Sequence, residues 1–127
     1  MTAASANIIA TAPDAFALHV RAQLQAIARR ATTITYQSLA KALDLMPPNT
    51  IHQVTETLER LMQEDAANGQ PFIAALVISK ARGGLPAPGF FDCARRLGRF
   101  VDGQDARIFH AAELNAVFAR WGGSRNN

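Results

Sequence analysis

The chain has 127 residues, 49% hydrophobic and 18% charged, with one Cys, three His and a formal charge of +3. That length suits one domain able to bury a core without disulfides or a structural metal, and the composition excludes intrinsic disorder, collagen and a disulfide scaffold. A single cysteine, Cys93, cannot form an internal disulfide, which fits a reducing cytoplasm, and no apolar run nears the roughly 20 residues that span a bilayer.

The opening MTAASANIIATAPD has no basic residue ahead of Ile8 and Ile9, so it does not read as a secretory signal. Residues 1–12 are expected to be a loosely held arm. Thr11 to Asp14 carries a helix-start signal, with Pro13 in the first turn and an acid at the positive helix end. Phe16, Val20, Leu24, Ile27 and Ala31 recur at helical spacing and predict a helix over Asp14–Arg30. Thr32-Thr33-Ile34-Thr35 is β-branched throughout and predicts a short extended segment. Thr35 then reads as the cap of a helix Tyr36–Leu43 that buries Leu39, Ala40 and Leu43. Pro47 and Pro48 force a turn, and Thr50 reads as the cap of a helix to about Ala66. The apolar stripe of that helix is Ile51, Val54, Leu58, Leu61 and Met62.

Gly69 and Pro71 close that helix. Phe72–Ser79 is nearly continuously apolar and predicts a strand buried on both faces. Lys80 to Gly89 holds three Gly and two Pro and predicts a loop, followed by a short helix Phe90–Leu97 that ends at Gly98. A last helix is expected over Ala106–Trp121, with Ile108, Phe109, Leu114, Val117, Phe118 and Trp121 inward. No internal repeat is present.

Charge is unevenly placed along the chain. From Asp44 to Asp65 there are five acids and one base, Arg60, a net of −4; from Lys80 to Arg99 there are five bases and one acid, Asp92, a net of +4. A polyanion would be drawn to the second segment, although two solvated faces are the commoner meaning of such segregation.

The order strand, helix, turn, helix, strand over Thr33–Ser79 is that of a winged helix-turn-helix. Thr35-Tyr36-x-x-Leu39-Ala40, then Ile51 to Leu61, then Pro71 before an apolar strand, resembles the winged-helix domain of alkylguanine-DNA alkyltransferases and alkyltransferase-like proteins over about residues 33–91. The resemblance implies that fold; DNA as partner is expected from the element order and the +4 segment. It departs at the chemistry: the family has Cys-His-Arg or Trp-His-Arg after the proline, whereas here Phe72-Ile73-Ala74 follows Pro71. Cys93 lies in a different element, so alkyl transfer is not expected. The run Pro71…Ala75-Leu76-Val77-Ile78-Ser79-Lys80…Gly83-Gly84-Leu85-Pro86-x-x-Gly89-Phe90-Phe91 is similar to small uncharacterised bacterial proteins. That implies a bacterial source and supplies no activity.

The fold expected is mainly α, in the α+β class, with a winged helix-turn-helix-like core, short strands and two extra C-terminal helices. It would comprise one domain over 13–121, with a tail over 122–127. The first reading of function is a non-enzymatic, DNA-binding cytoplasmic protein. In it Asn49, Thr50, His52 and Gln53 would contact base edges or phosphates. Lys80 and Arg82 would lie on the wing, and Arg95, Arg96 and Arg99 on phosphates. Against it, Glu56, Glu59, Glu64 and Asp65 occupy the same helix as the first four. A second reading is a protein-interaction or homodimer module, using the acidic helix and the final helix around Phe118 and Trp121. A third is an enzyme using Cys93, whose thiol the neighbouring Arg95 and Arg96 would activate if exposed. His110 and Glu113 share a helical face without a third ligand, so no metal is expected, and no nucleotide fingerprint calls for a cofactor.

Overall fold

Asp14 starts the first helix in the computed structural model, which describes residues 14–122; the expected arm, Pro13 and the tail after Gly122 lie outside the described residues. Asp14 Oδ1 accepts hydrogen bonds from the N–H groups of Phe16 (2.9 Å) and Ala17 (3.3 Å), two donors that a helix start leaves open. The helix, α1 (Ala15–Arg29), buries Ala17, Val20, Leu24, Ile27 and Ala28. Ala31 does not continue that stripe. It is exposed at φ 53°, in the turn that leads from α1 toward β1 (Ile34–Thr35).

Thr35 caps α2 (Tyr36–Ala42), its hydroxyl accepting from Ser38 N at 3.1 Å. A turn with a cis Pro47–Pro48 bond connects to α3 (Thr50–Ala67). Thr50 is the first helical residue and not the cap. Asn49 holds the cap position at φ 64°, a left-handed conformation that Asn tolerates better than most side chains. Val54, Leu58, Leu61 and Met62 of α3 are buried, but Ile51 is 39% exposed because the first turn of α3 runs past the edge of the core.

The expected strand over Phe72–Ser79 is corrected. Ile73–Leu76 forms a 3-10 turn, and only Val77–Ile78 is strand β2. Two causes act together. The N–H groups of Phe72 and Ile73 donate to the carboxylates of Glu113 (2.8 Å) and Asp65 (3.0 Å), so they cannot join a ladder. Among the described residues the only partner strand is two residues long, pairing Ile34 with Val77 and Thr35 with Ile78. That pairing is parallel, and parallel neighbours need a crossover, which α2 and α3 supply. The small Ala74 and Ala75 let the 3-10 turn sit fully buried against α1, α3 and α5 (Ala106–Trp121).

Helix α4 (Pro88–Arg96) begins two residues earlier than the apolar pattern predicts, since a proline with its fixed φ fits the first helical position. Phe90 and Phe91 of α4 pack edge-on at 5.2 Å between ring centres, and Phe100 lies 4.9 Å from Phe109 of α5. Asp105 caps α5 by accepting from Ile108 N at 3.0 Å. Phe109, His110 and Val117 are buried and Leu114, Phe118 and Trp121 pack at the edge of the core. Ile108 is a further correction: it is 70% exposed, because the 109–110–113–117–121 phase turns it outward. The described residues thus form five α-helices with a two-stranded parallel sheet, and none of their helices is long and apolar enough to cross a membrane.

Candidate nucleic-acid interface

After β2 the chain makes a tight loop. Ser79 and Leu85 form one antiparallel bridge, with Ser79 N donating to Leu85 O at 2.8 Å. A single 3-10 turn, Lys80–Arg82, interrupts the expected open loop. Gly83 at φ 68° and Gly84 at φ 89° bring the chain back, a left-handed pair that side chains other than glycine adopt at a cost. Arg82 Nε donates to Pro86 O at 2.9 Å and closes the loop on itself. Arg107, from the first turn of α5, donates through Nη1 to Gly83 O at 3.4 Å. Lys80, Arg82 and Arg107 are exposed, and none has a carboxylate in ion-pair range among the described residues.

The base of this loop adjoins the start of α2 and α3. Tyr36, Gln37, Ile51, Thr55, Ser79 and Ala87 line one groove of about 180 Å³. Ala87 N donates to the Tyr36 hydroxyl at 2.9 Å, tying the loop to α2. Burial raises the Tyr36 phenol above its ordinary value, against the lowering influence of Ala87 N–H and Arg82, so it stays protonated. A second cavity of about 180 Å³ lies deeper and shares Tyr36, Thr55 and Ala87 with the groove.

Of the residues singled out at the start of α3, Asn49 and His52 are exposed and Thr50 and Gln53 half-buried. Gln53 Nε2 donates back to Pro48 O at 3.3 Å, and His52 lies 3.3 Å from Glu56 one turn on. Glu56 and Glu59 line a separate polar groove with Asp14 and Arg60.

The other three bases do not join this face as free cations. Arg95 sits between Asp92 (3.2 Å) and Asp102 (3.1 Å). Arg96 donates to Glu59 of α3 at 3.3 Å, so the acidic and basic segments meet and partly neutralise each other. Arg99 stacks 4.2 Å over the Phe72 ring, lies 3.5 Å from Glu113 and donates to Asp65 O. Its task is internal.

Arg99 belongs to a set of side chains that clamps the 72–75 segment. Asp65, 2% exposed, accepts from Arg21 Nη1 at 2.8 Å as well as from Ile73 N. Burial raises its carboxyl, opposed by the Ile73 N–H and by Arg21 and Arg99. His110 Nε2 lies 2.9 Å from Ala75 O, a distance at which the ring N–H donates. Burial lowers the His110 imidazole, the bond to Ala75 works the other way, and Arg107 and Glu113 pull in opposite directions. His110 and Glu113 are therefore fold anchors on neighbouring turns, and no group of three or more His, Cys, Asp or Glu among the described residues is placed to hold a metal.

Cys93 on α4 is 1% exposed, and desolvation, aided by Glu59, pushes its thiol up, against Arg96. Exposure and a lowered pKa are what a nucleophilic thiol needs. Cys93 has neither.

A comparison with family models, with curated proteins and with solved structures gives no match. Reading the sequence missed Arg107 and Gln37. Arg107 lies 24 residues from Gly83 in the chain, and only the packing of α5 beside the loop brings it there. Gln37, next to Tyr36, could have been found from the helix-start pattern, because a residue just after a cap is solvent-facing unless it is part of the apolar stripe.

Proposed function

We propose that this chain binds duplex DNA as a winged helix-turn-helix with a short wing. In this reading β1, α2, α3 and β2 are the core, the first turn of α3 enters a groove, and the Ser79–Leu85 loop is the wing. The observation that carries the reading is the shared groove of about 180 Å³, which puts the starts of α2 and α3 and the base of the wing on one side, beside three unpaired cations. Lys80, Arg82 and Arg107 supply phosphate contacts, and His52, Asn49 and Thr50 lie toward the bases. Arg95, Arg96 and Arg99 are left out of this footprint because carboxylates already hold them. The alternative of docking through α5 lacks support, since its apolar side packs on the protein's own core.

Fluorescence anisotropy with a labelled duplex at low and moderate salt tests the reading. Saturable binding that weakens with salt, and that falls sharply in the Lys80→Ala, Arg82→Ala, Arg107→Ala triple variant, is expected. Absence of saturable duplex binding at low salt overturns it.

A further inference from the structure

We infer that Gln37 and Ile51 form a reader for one A·T base pair in the major groove; the inference rests on the duplex-binding reading. Both residues are exposed, on different helices, and line the same groove. Ile51 is one residue into α3, where a DNA-facing helix presents base-contacting side chains. It cannot hydrogen-bond any base edge. The one apolar feature of the major-groove edge is the thymine methyl, and Ile51 with the Ala87 methyl at the groove wall offers an apolar seat for it.

Gln37 supplies the complementary half. Its amide makes no hydrogen bond to the described residues, whereas the Gln53 amide on α3 is turned back onto Pro48. A glutamine amide matches adenine N6 and N7 with one donor and one acceptor. Adenine and the thymine methyl of one base pair lie side by side in the major groove, and Gln37 and Ile51 line one groove here. The occupant is fixed by charge as well as shape: Lys80 and Arg82 follow Ser79 at the groove wall, and a polyanion is the partner that satisfies them.

The test uses the full chain and three duplexes of equal length: an A·T-rich one, the same with uracil in place of thymine, and a G·C-rich one. The wild type is expected to bind the thymine duplex about threefold to tenfold more tightly than the uracil duplex, which differs by the methyl groups alone. Ile51→Ala is expected to bind thymine and uracil duplexes alike. Gln37→Ala is expected to lose most of the preference for A·T over G·C while keeping that for thymine over uracil. Circular dichroism checks that both variants remain folded. A wild type that binds all three duplexes equally, or an Ile51→Ala variant that still separates thymine from uracil, overturns the inference and leaves the duplex-binding reading standing. No binding to any duplex overturns both.

Discussion

Individual side chains divide into those that hold the protein together and those left free to meet a partner, and their partners make the division. Arg95 and Lys80 carry the same charge, but Arg95 lies between two carboxylates while Lys80 faces water. Each of Lys80→Ala, Arg82→Ala and Arg107→Ala should therefore reduce the slope of log K against log salt by about 0.9, the value for one phosphate contact. Arg95→Ala should leave that slope unchanged; anisotropy titrations over a salt series check both. His110 gives a pH prediction. Burial lowers its folded-state pKa below the ordinary 6.5, so as pH falls through about 6.5 the unfolded chain takes up a proton that the folded one refuses. Stability from this site is full above that pH and declines below it. Urea melts at pH 7.5 and 5.5 should show a loss in the wild type that is smaller in His110→Gln. Asp65, whose carboxyl is raised by burial, acts with the opposite sign: its contribution is present at low pH and declines as pH rises.

Elements show where pattern and structure part. The apolar run Phe72–Ser79 satisfies the rule for a buried strand, yet half of it coils into a 3-10 turn. A strand needs a partner of matching length, and β1 offers two residues. Nothing within the run announces that Asp65 and Glu113, from 8 and 41 residues away, take its first two N–H groups. Ala75→Leu puts three extra carbons into a fully buried position of that turn and should cost about 1–3 kcal/mol, read from urea denaturation. Removing the buried carboxylate with Asp65→Ala leaves the Ile73 N–H without its acceptor, while Arg21 keeps its pair with Glu64 at 3.1 Å, and should cost about 1–3 kcal/mol by the same measurement. In the wing, a methyl at Gly83 would come 3.3 Å from Arg107 Nη2 and sit at φ 68°. Gly83→Ala is expected to weaken duplex binding more than Arg95→Ala does.

At the scale of the whole molecule the −4 and +4 segments meet in the Glu59–Arg96 pair and do not form two separate faces. Of the bases in the second segment, Lys80 and Arg82 are left without a carboxylate among the described residues, with Arg107 beside them, and Arg29, Arg30, Lys41 and Arg120 lie unpaired elsewhere. Three phosphate contacts imply a slope of about −3 for log K against log salt. A slope near −5 would instead enlist Arg95, Arg96 or Arg99. On the helix that the protein-interaction reading would use, Val117 is buried completely and Phe118 and Trp121 are half-buried against the core, while Ile108 is 70% exposed.

Helix placement was readable in the sequence because it depends on neighbours three and four residues apart: Thr35 as a cap, the Val20–Leu24–Ile27 stripe and the Val54–Leu58–Leu61 stripe each lie within or beside one element. The break from the alkyltransferase pattern at Phe72 was also a sequence fact, and so was the wrong position of Cys93. Tertiary structure alone decided which bases are free, since an ion pair such as Arg96–Glu59 or Arg21–Asp65 joins residues 37 and 44 positions apart. It alone brought Arg107 to the Ser79–Leu85 loop and put Gln37 and Ile51 in one groove. Charge and polarity along a chain say what a side chain can do; the partners packed around it decide what it is left free to do.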